Sequence, residues 1–214
     1  MKKFFLGVLA TCGILLSLSM AQQTQLAVLT PAQQAILARF ELVQLSDGIG
    51  GTVEAIRVTS NLQVVDGSGD TIGPVNGLGN IIVGYNDLGA TQGDVRTGSH
   101  NLIAGNRLSY TSYGTVLFGT NNSTVFPISS VLGGELNVPG STNSVVVGGR
   151  QNVTTGLWSV AVGGQNNSAS GNDSVSVGGQ SNVANGTWSV LSGGSTRQAF
   201  GAHDWVSGSL FENN

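Results

Sequence analysis

A repeated alternation of apolar and small polar residues dominates the C-terminal two-thirds of this chain. Units such as SVAVGG (residues 159–164) place valines on one face of a short strand and Ser, Ala and Gly on the other. After a longer first interval, the units follow one another at a short and nearly constant spacing, starting at Asn80, Asn101, Thr115, Ser130, Ser144, Ser159, Ser174, Ser189 and Asp204. A period this short predicts one coil of a parallel β-solenoid per unit.

Glycines mark the corners of each predicted coil. Gly163 and Gly164 turn the chain after the first strand, and a second short stretch at residues 167–169 leads to a further corner. This second corner recurs at Gly156, Gly171, Gly186 and Gly201, where positive φ or close backbone approach would require glycine. The sequence therefore predicts an all-β protein with a β-roll of about nine coils over residues 80–214.

The two faces of the predicted strands differ in a way that bears on assembly. The small face suits the inside of a flattened coil, whereas the opposite face carries Val145, Val147, Val160, Val162, Val175 and Val177. One thin coil buries only one of these faces, and valine gains free energy from burial. We expect other copies of the chain to cover the valines, most simply around a threefold axis as a homotrimer.

A helix is predicted in residues 22–46, ahead of the repeat. Thr30, Pro31 and Gln33 form a capping-box pattern with proline at the first helical position. Apolar residues at helical spacing would extend the helix to about Leu45, with a stripe formed by Ile36, Leu37, Phe40 and Val43. Because so short a helix is marginal alone, its stripe would serve oligomerisation or pack on the body of the protein.

Residues 47–79 are predicted to hold the strands and turn that lead into the roll. TVEAIRV (residues 52–58) and NLQVV (residues 61–65) have strand-like composition. Asp66 and Gly67 then provide a turn signal.

The N-terminal residues 1–21 have the organisation of a secretory signal peptide. Lys2 and Lys3 precede an apolar run over residues 4–18, and small residues suit cleavage near Ala21. The alternative, a retained membrane anchor, is disfavoured because the apolar run is shorter than a spanning helix needs. We expect a secreted or cell-surface protein with no membrane span in the mature chain. Its only cysteine, Cys12, would be removed, so no disulfide is predicted.

Composition and charge limit the classes of partner that this chain is expected to bind. Charged residues make up 9% of the chain while glycine occupies 33 positions, which fits a turn-dense β protein. Without the two signal-peptide lysines, six arginines face eleven acidic residues, a net charge of −5. Nucleic-acid binding needs clustered basic residues, so no nucleic-acid partner is expected.

The unit SVAVGGQNNSASGND (residues 159–173) resembles the head repeat of trimeric autotransporter adhesins, the YadA-like head, which reads approximately S-V-A-I-G-x-x-x-x-A-x-G-x-x. The unit here has one more residue after the first glycine, and the resemblance covers about residues 80–210. It implies a left-handed parallel β-roll assembled as a trimer. Residues 76–103 are also similar to the region before the repeats in exported bacterial proteins with S-V-S-G-G repeats. The residues after Trp205, VSGSLFENN, do not resemble the membrane-barrel anchor or long stalk of these adhesins, so self-transport and covalent surface anchoring are not expected from the resemblance.

Two groups of residues are candidates for ligand binding. Residues 84–100 form the main outgrowth from the roll, where Tyr85, Asp87, Asp94 and Arg96, with His100 nearby, would bind a cation or a polar ligand. The alternative is a salt bridge within the loop. Trp158 and Trp188 share one repeat position two coils apart, so they would form an aromatic ridge that contacts sugars, or would cover a corner or subunit seam.

Catalytic and cofactor chemistry are not predicted. His100 and His203 lack metal-ligand spacing with other side chains, and no hydrolase or phosphate-loop motif occurs. We therefore expect a non-enzymatic, adhesin-like head that binds an extracellular glycan, surface or matrix protein and needs no cofactor. A structural component of an extracellular matrix or appendage is the alternative. A glycan-active solenoid enzyme is the third, and it would require a concave carboxylate cluster that these spacings do not provide.

Overall fold

The computed structural model describes residues 29–88 and 94–208, and the chain falls into two compact units, Met1–Gln63 and Val64–Asn214. The predicted signal peptide and Cys12 lie outside the described residues.

The first unit begins with a helix, α1 (Pro31–Leu37), whose start follows the predicted capping box. The backbone N–H of Gln33 donates to the Thr30 hydroxyl at 3.3 Å, and the Gln33 side-chain oxygen accepts from the Thr30 backbone N–H at 2.8 Å. Pro31 occupies the first turn, where its missing N–H costs no hydrogen bond.

The prediction that this helix continues to about Leu45 is wrong. Residues after Arg39 form β1 (Phe40–Ser46), which pairs in antiparallel register with β2 (Thr52–Val58). Leu42 lies opposite Ile56 in this hairpin, and Glu41 lies opposite Arg57. The spacing of the apolar residues in FELVQLS fits the stripe of a helix as well as it fits a strand. The segment forms a strand because it pairs with β2, which is rich in β-branched residues.

Asp47 and Gly48 lie in the turn of this hairpin. The Asp47 carboxylate accepts from the backbone N–H groups of Ile49 and Gly51 at 2.9 and 2.8 Å. These bonds hold the pKa of Asp47 below its ordinary value. Of the two predicted leading strands, residues 52–58 form β2, whereas residues 61–65 form no strand.

The second unit is a parallel β-solenoid, as predicted. Its larger sheet contains nine parallel strands in sequential order. They are β3 (Ile81–Val83), β4 (Leu102–Asn106), β6 (Val116–Thr120), β8 (Ser130–Glu135), β10 (Val145–Val147), β12 (Val160–Val162), β14 (Val175–Val177), β16 (Val190–Ser192) and β18 (Trp205–Ser207).

The other side of each coil carries a two-residue strand. Two of these strands pair with each other, β5 (Ser109–Tyr110) and β7 (Ser123–Thr124). Five more form a parallel sheet, β9 (Val138–Pro139), β11 (Val153–Thr154), β13 (Ser168–Ala169), β15 (Val183–Ala184) and β17 (Gln198–Ala199). Within the described residues, seven coils therefore contain both strands, while β3 and β18 supply the remaining two of the nine predicted units.

One predicted unit boundary shifts by a single position. Val131 pairs with Val146 and with Leu117, so the residue equivalent to Ser144 is Ser129 rather than Ser130. The coil that starts at Ser129 is the first of the longer type, and the register between β6 and β8 shifts beyond Phe118, where the glycine pair at 133–134 forms the corner.

Burial confirms which strand face is inside. Ser159 and Ala161 are fully buried, while Val160 and Val162 point outward and stay partly exposed. The size of the inner residue varies from coil to coil, with Leu117 in β6, Ala161 in β12, Ser176 in β14 and Leu191 in β16. Small inner residues allow the two sheets of one coil to approach closely.

Gly156, Gly171 and Gly186 are required by close approach rather than by positive φ. A Cβ on Gly171 would collide with the carbonyl group of Gly186 in the next coil, and Gly156 meets Gly171 in the same way. The opposite corner does use positive φ, as at Gly163 (φ 62°) and Gly164 (φ 73°).

Most coils also hold non-glycine residues in the left-handed backbone conformation at both corners. One column contains Ile128, Asn143, Trp158, Asp173, Trp188 and His203, and the other contains Arg107, Asn121, Leu136, Gln151, Asn166, Ser181 and Thr196. Backbone hydrogen bonds to the preceding coil hold this conformation, such as Asp173 N–H to the Leu157 carbonyl at 2.8 Å.

Candidate functional site

Arg96 fastens the 84–100 segment to the first coil. Its Nη2 donates to the backbone carbonyl of Asp87 at 2.7 Å and to the Asp94 carboxylate at 3.3 Å, and its Nε donates to the Leu108 carbonyl at 3.2 Å. The Arg96 and Asp94 side chains are only 18% and 13% exposed. The guanidinium is thus committed to contacts within the chain.

The predicted ligand-binding residues of this segment are only partly brought together. Asp87, Asp94 and Arg96 lie side by side, although Asp87 contributes its backbone carbonyl to Arg96. Tyr85 is 97% exposed and lies outside this hydrogen-bonded group. The arrangement matches the salt-bridge alternative named for this loop, while a ligand role for these residues stays a prediction.

His100 contacts a turn that precedes the 84–100 segment. Its Nε2 accepts from the backbone N–H of Asp66 at 3.3 Å and lies 3.6 Å from the Asp66 carboxylate. The hydroxyl and N–H of Ser68 donate to that carboxylate, and these bonds hold the pKa of Asp66 below its ordinary value. This contact ties the turn at residues 66–68 to the first coil. Across residues 29–88 and 94–208, no three His, Cys, Asp or Glu side chains are grouped to hold a metal ion.

Trp158 and Trp188 form the second candidate group, and both side chains project from the solenoid. They share the left-handed corner conformation, with φ of 54° and 57°, and are 55% and 54% exposed. The register of the strands that follow them places the two tryptophans two coils apart, about 9.5 Å at the usual strand spacing. We call the series Trp158, Asp173, Trp188 and His203 the tryptophan column.

Within the tryptophan column, His203 stacks on Trp188. The ring centroids are 4.8 Å apart and the planes differ by 16°. This separation equals the usual distance between adjacent strands, so the stacking direction follows the column. One face of the Trp188 indole is therefore covered by His203, and the other is directed toward the coil of Asp173.

Asp173 and His203 are the functional candidates that the sequence reasoning missed. Asp173 is half-buried between the two tryptophan coils, and within the described residues its carboxylate has neither a hydrogen bond nor an ion pair. The spacing of the repeat could have identified both residues, because positions 158, 173, 188 and 203 are evenly spaced. In the sequence, only the two tryptophans of that series stand out, because aromatic residues are rare in this chain.

The outer face of the nine-stranded sheet is apolar along most of its length, and we call it the valine face. It includes Val147, Val162 and Val177, and Leu132 lies at the equivalent place in β8. Leu132 is 49% exposed and Val177 39% exposed. Contiguous apolar surface of this kind commonly marks an interaction surface.

A ladder of buried asparagines at one corner of the coils is structural. Asn152 is fully buried and donates to the carbonyls of Gly148 and Gly164 at 3.1 and 3.2 Å, while its side-chain oxygen accepts from the Asn167 backbone N–H at 2.9 Å. The same pattern occurs at Asn137, Asn167 and Asn182. The amides are saturated by backbone groups and offer nothing to a ligand.

In the described part of the chain, no helix has the length and apolar character needed to cross a membrane. No protein-family model and no curated protein matches this sequence.

Proposed function

We propose that this protein is an exported, non-enzymatic, adhesin-like head that assembles as a homotrimer and binds extracellular surfaces, matrix proteins or glycans. The observation that carries the proposal is the contrast between the two sides of the larger sheet. The inner side is filled by fully buried small residues such as Ser159 and Ala161, whereas the outer side is a row of partly exposed valines.

The valine face supports assembly through its free-energy balance. Val160, Val162, Val175 and Val177 stay partly exposed in one chain. Burying a valine fully is worth about 1.5 kcal/mol or more, so covering a row of them with another chain stabilises an oligomer. Because parallel sheets are normally covered on both faces, a second layer is expected here.

The remaining surface supports a binding role. Trp158 and Trp188 project from one corner with more than half of their surface exposed, and exposed tryptophans with polar neighbours are typical of binding surfaces. In the 84–100 segment, the Arg96 guanidinium donates to the Asp94 carboxylate and to the backbone carbonyl of Asp87.

The first test measures mass in solution. We expect the protein from residue 22 onward to sediment as a trimer, and the triple variant Val147→Glu, Val162→Glu, Val177→Glu to lose that state because it places carboxylates on the valine face. The matched control, Thr155→Glu, Ser170→Glu, Asn185→Glu, adds the same charge on the opposite side of the coils and should remain trimeric. A monomeric wild-type protein at micromolar concentration contradicts the assembly.

A binding array of glycans and matrix proteins then separates the functions. A trimer that binds a specific class of these ligands supports the adhesin-like role. A trimer that binds none supports the structural alternative.

A further inference from the structure

We propose that Trp158, Asp173 and Trp188 form a cage for a quaternary ammonium group, such as the trimethylammonium of choline. The inference deepens the proposed binding role by naming a ligand chemistry and rests on it for its biological context. The test needs only the folded chain, so its outcome is separate from that of the array.

The tryptophan column supplies two aromatic surfaces at a suitable separation. Trp158 and Trp188 have the same backbone conformation and nearly equal exposure, two coils apart. With about 4.8 Å between coils, a group at the level of Asp173 lies about 4.8 Å along the column from the coil of each tryptophan. A cation is attracted to an aromatic face within about 6 Å of the ring centre, so both indoles contribute at once.

His203 directs one of these surfaces. By stacking on Trp188 at 4.8 Å, it covers the far face of the indole and leaves the near face toward Asp173. The column therefore contains aromatic rings in three of four successive coils, and Asp173 stands where the stack is interrupted. A guest above Asp173 would complete the stack.

The carboxylate of Asp173 favours a positively charged ligand at this position. It is half-buried and has no hydrogen-bond or ion-pair partner among the described residues. The neighbouring Asn172 side chain already accepts from the Leu157 backbone N–H at 3.0 Å, which fixes the adjacent position of the corner. A carboxylate without a partner among the described residues, one coil from each of two tryptophans, favours a cation over a neutral sugar.

The width of the gap selects the shape of the cation. A flat group makes contact at about 3.5 to 4 Å on each side, which fills less than the roughly 9.5 Å that separates the coils of the two tryptophans. A tetrahedral ammonium with methyl groups on both sides fills it. Quaternary ammonium also has no N–H groups, so its transfer to an aromatic site breaks no strong hydrogen bonds with water.

The experiment titrates the protein from residue 22 onward with tetramethylammonium and choline, followed by tryptophan fluorescence and calorimetry. Saturable binding is expected for both, and ethanolamine and glucose oligomers should bind at least about tenfold more weakly. Asp173→Asn preserves the shape of the side chain and its tolerance of the left-handed corner, and it should weaken binding about fivefold to tenfold. Trp188→Asn should abolish saturable binding.

Trp205→Leu is the matched control, because Trp205 lies in β18 outside the tryptophan column and its loss should leave the affinity unchanged. Circular dichroism of each variant confirms that it is folded. Co-sedimentation with phosphatidylcholine vesicles identifies a membrane source of the ligand, and binding of free choline alone identifies a soluble one. The cage is refuted if tetramethylammonium fails to bind the folded wild-type protein, if glucose oligomers bind more tightly, or if Asp173→Asn binds equally well.

Discussion

Buried asparagines connect one coil to the next at the scale of single residues. Each of them satisfies backbone groups at a corner, where the strand ladder cannot reach them. The series consists of Asn122, Asn137, Asn152, Asn167 and Asn182. Their side chains replace hydrogen bonds that water would otherwise make, which is why a polar residue can occupy the interior of so thin a structure.

Replacing one of these amides should destabilise the solenoid. Asn152→Ala removes three hydrogen bonds, to part-buried carbonyls of Gly148 and Gly164 and from the buried N–H of Asn167. We expect the free energy of unfolding to fall by roughly 2 to 4 kcal/mol, measured by chemical denaturation at fixed protein concentration.

Asn185→Ala provides the comparison, because Asn185 is exposed and its side chain makes no hydrogen bond within the described part of the chain. Its effect should stay within about 0.5 kcal/mol. Equal losses of stability for the two substitutions would show that the buried amides do not stabilise the corner.

The glycine corners act at the scale of the structural element. Gly171 lies where two coils come closest, and an added methyl group has no space beside Gly186. Gly163, in the same coil, has open space around its Cβ position but a φ of 62°. The two corners thus need glycine for different reasons, one steric and one conformational.

Alanine substitutions at the two corners should therefore reduce the stability of the solenoid by different amounts. Gly163→Ala should lower the free energy of unfolding by about 1 kcal/mol, the usual cost of the left-handed conformation for alanine. Gly171→Ala should cost clearly more, because the coils must separate to admit the side chain. Thermal unfolding followed by circular dichroism ranks the two variants, and a smaller shift for Gly171→Ala would contradict the steric account.

Sequence alone predicted the elements with short-range causes. The repeat period, the inward Ala161 and the Thr30 cap all follow from spacing within a short stretch or from exact repetition. The hairpin of β1 and β2 was missed because its register depends on a partner strand that the local pattern of FELVQLS does not reveal. Asp173 was missed because its environment is set by side chains one coil away on either side.

The whole solenoid is a stack in which each coil contacts its two neighbours. Strand pairing runs in sequence from β3 to β18, and the same residues recur in register from coil to coil. Stability in such arrays is close to a sum of coil terms and nearest-neighbour terms. Removing an entire coil should therefore leave the remaining register intact.

Deleting residues 129–143 joins Ile128 to Ser144 and removes one coil. We expect the shortened protein to keep its β-sheet circular dichroism and a cooperative unfolding transition at a lower midpoint. Deleting residues 129–135 removes half a coil and brings the wrong faces of the strands together, so this control should lose the cooperative transition. If both deletions unfolded alike, the coil would not be the stabilising unit.

The left-handed corners have a consequence for how this scaffold accepts change. Tryptophan, histidine, isoleucine, aspartate and asparagine all adopt the same backbone conformation in one column, so the neighbouring coils impose it regardless of the occupant. Each coil contributes one residue to this column, so a side chain can be exchanged in one coil without a change in the backbone conformation. Point substitutions in this column would give a series of surfaces that differ only in the functional group that each coil presents.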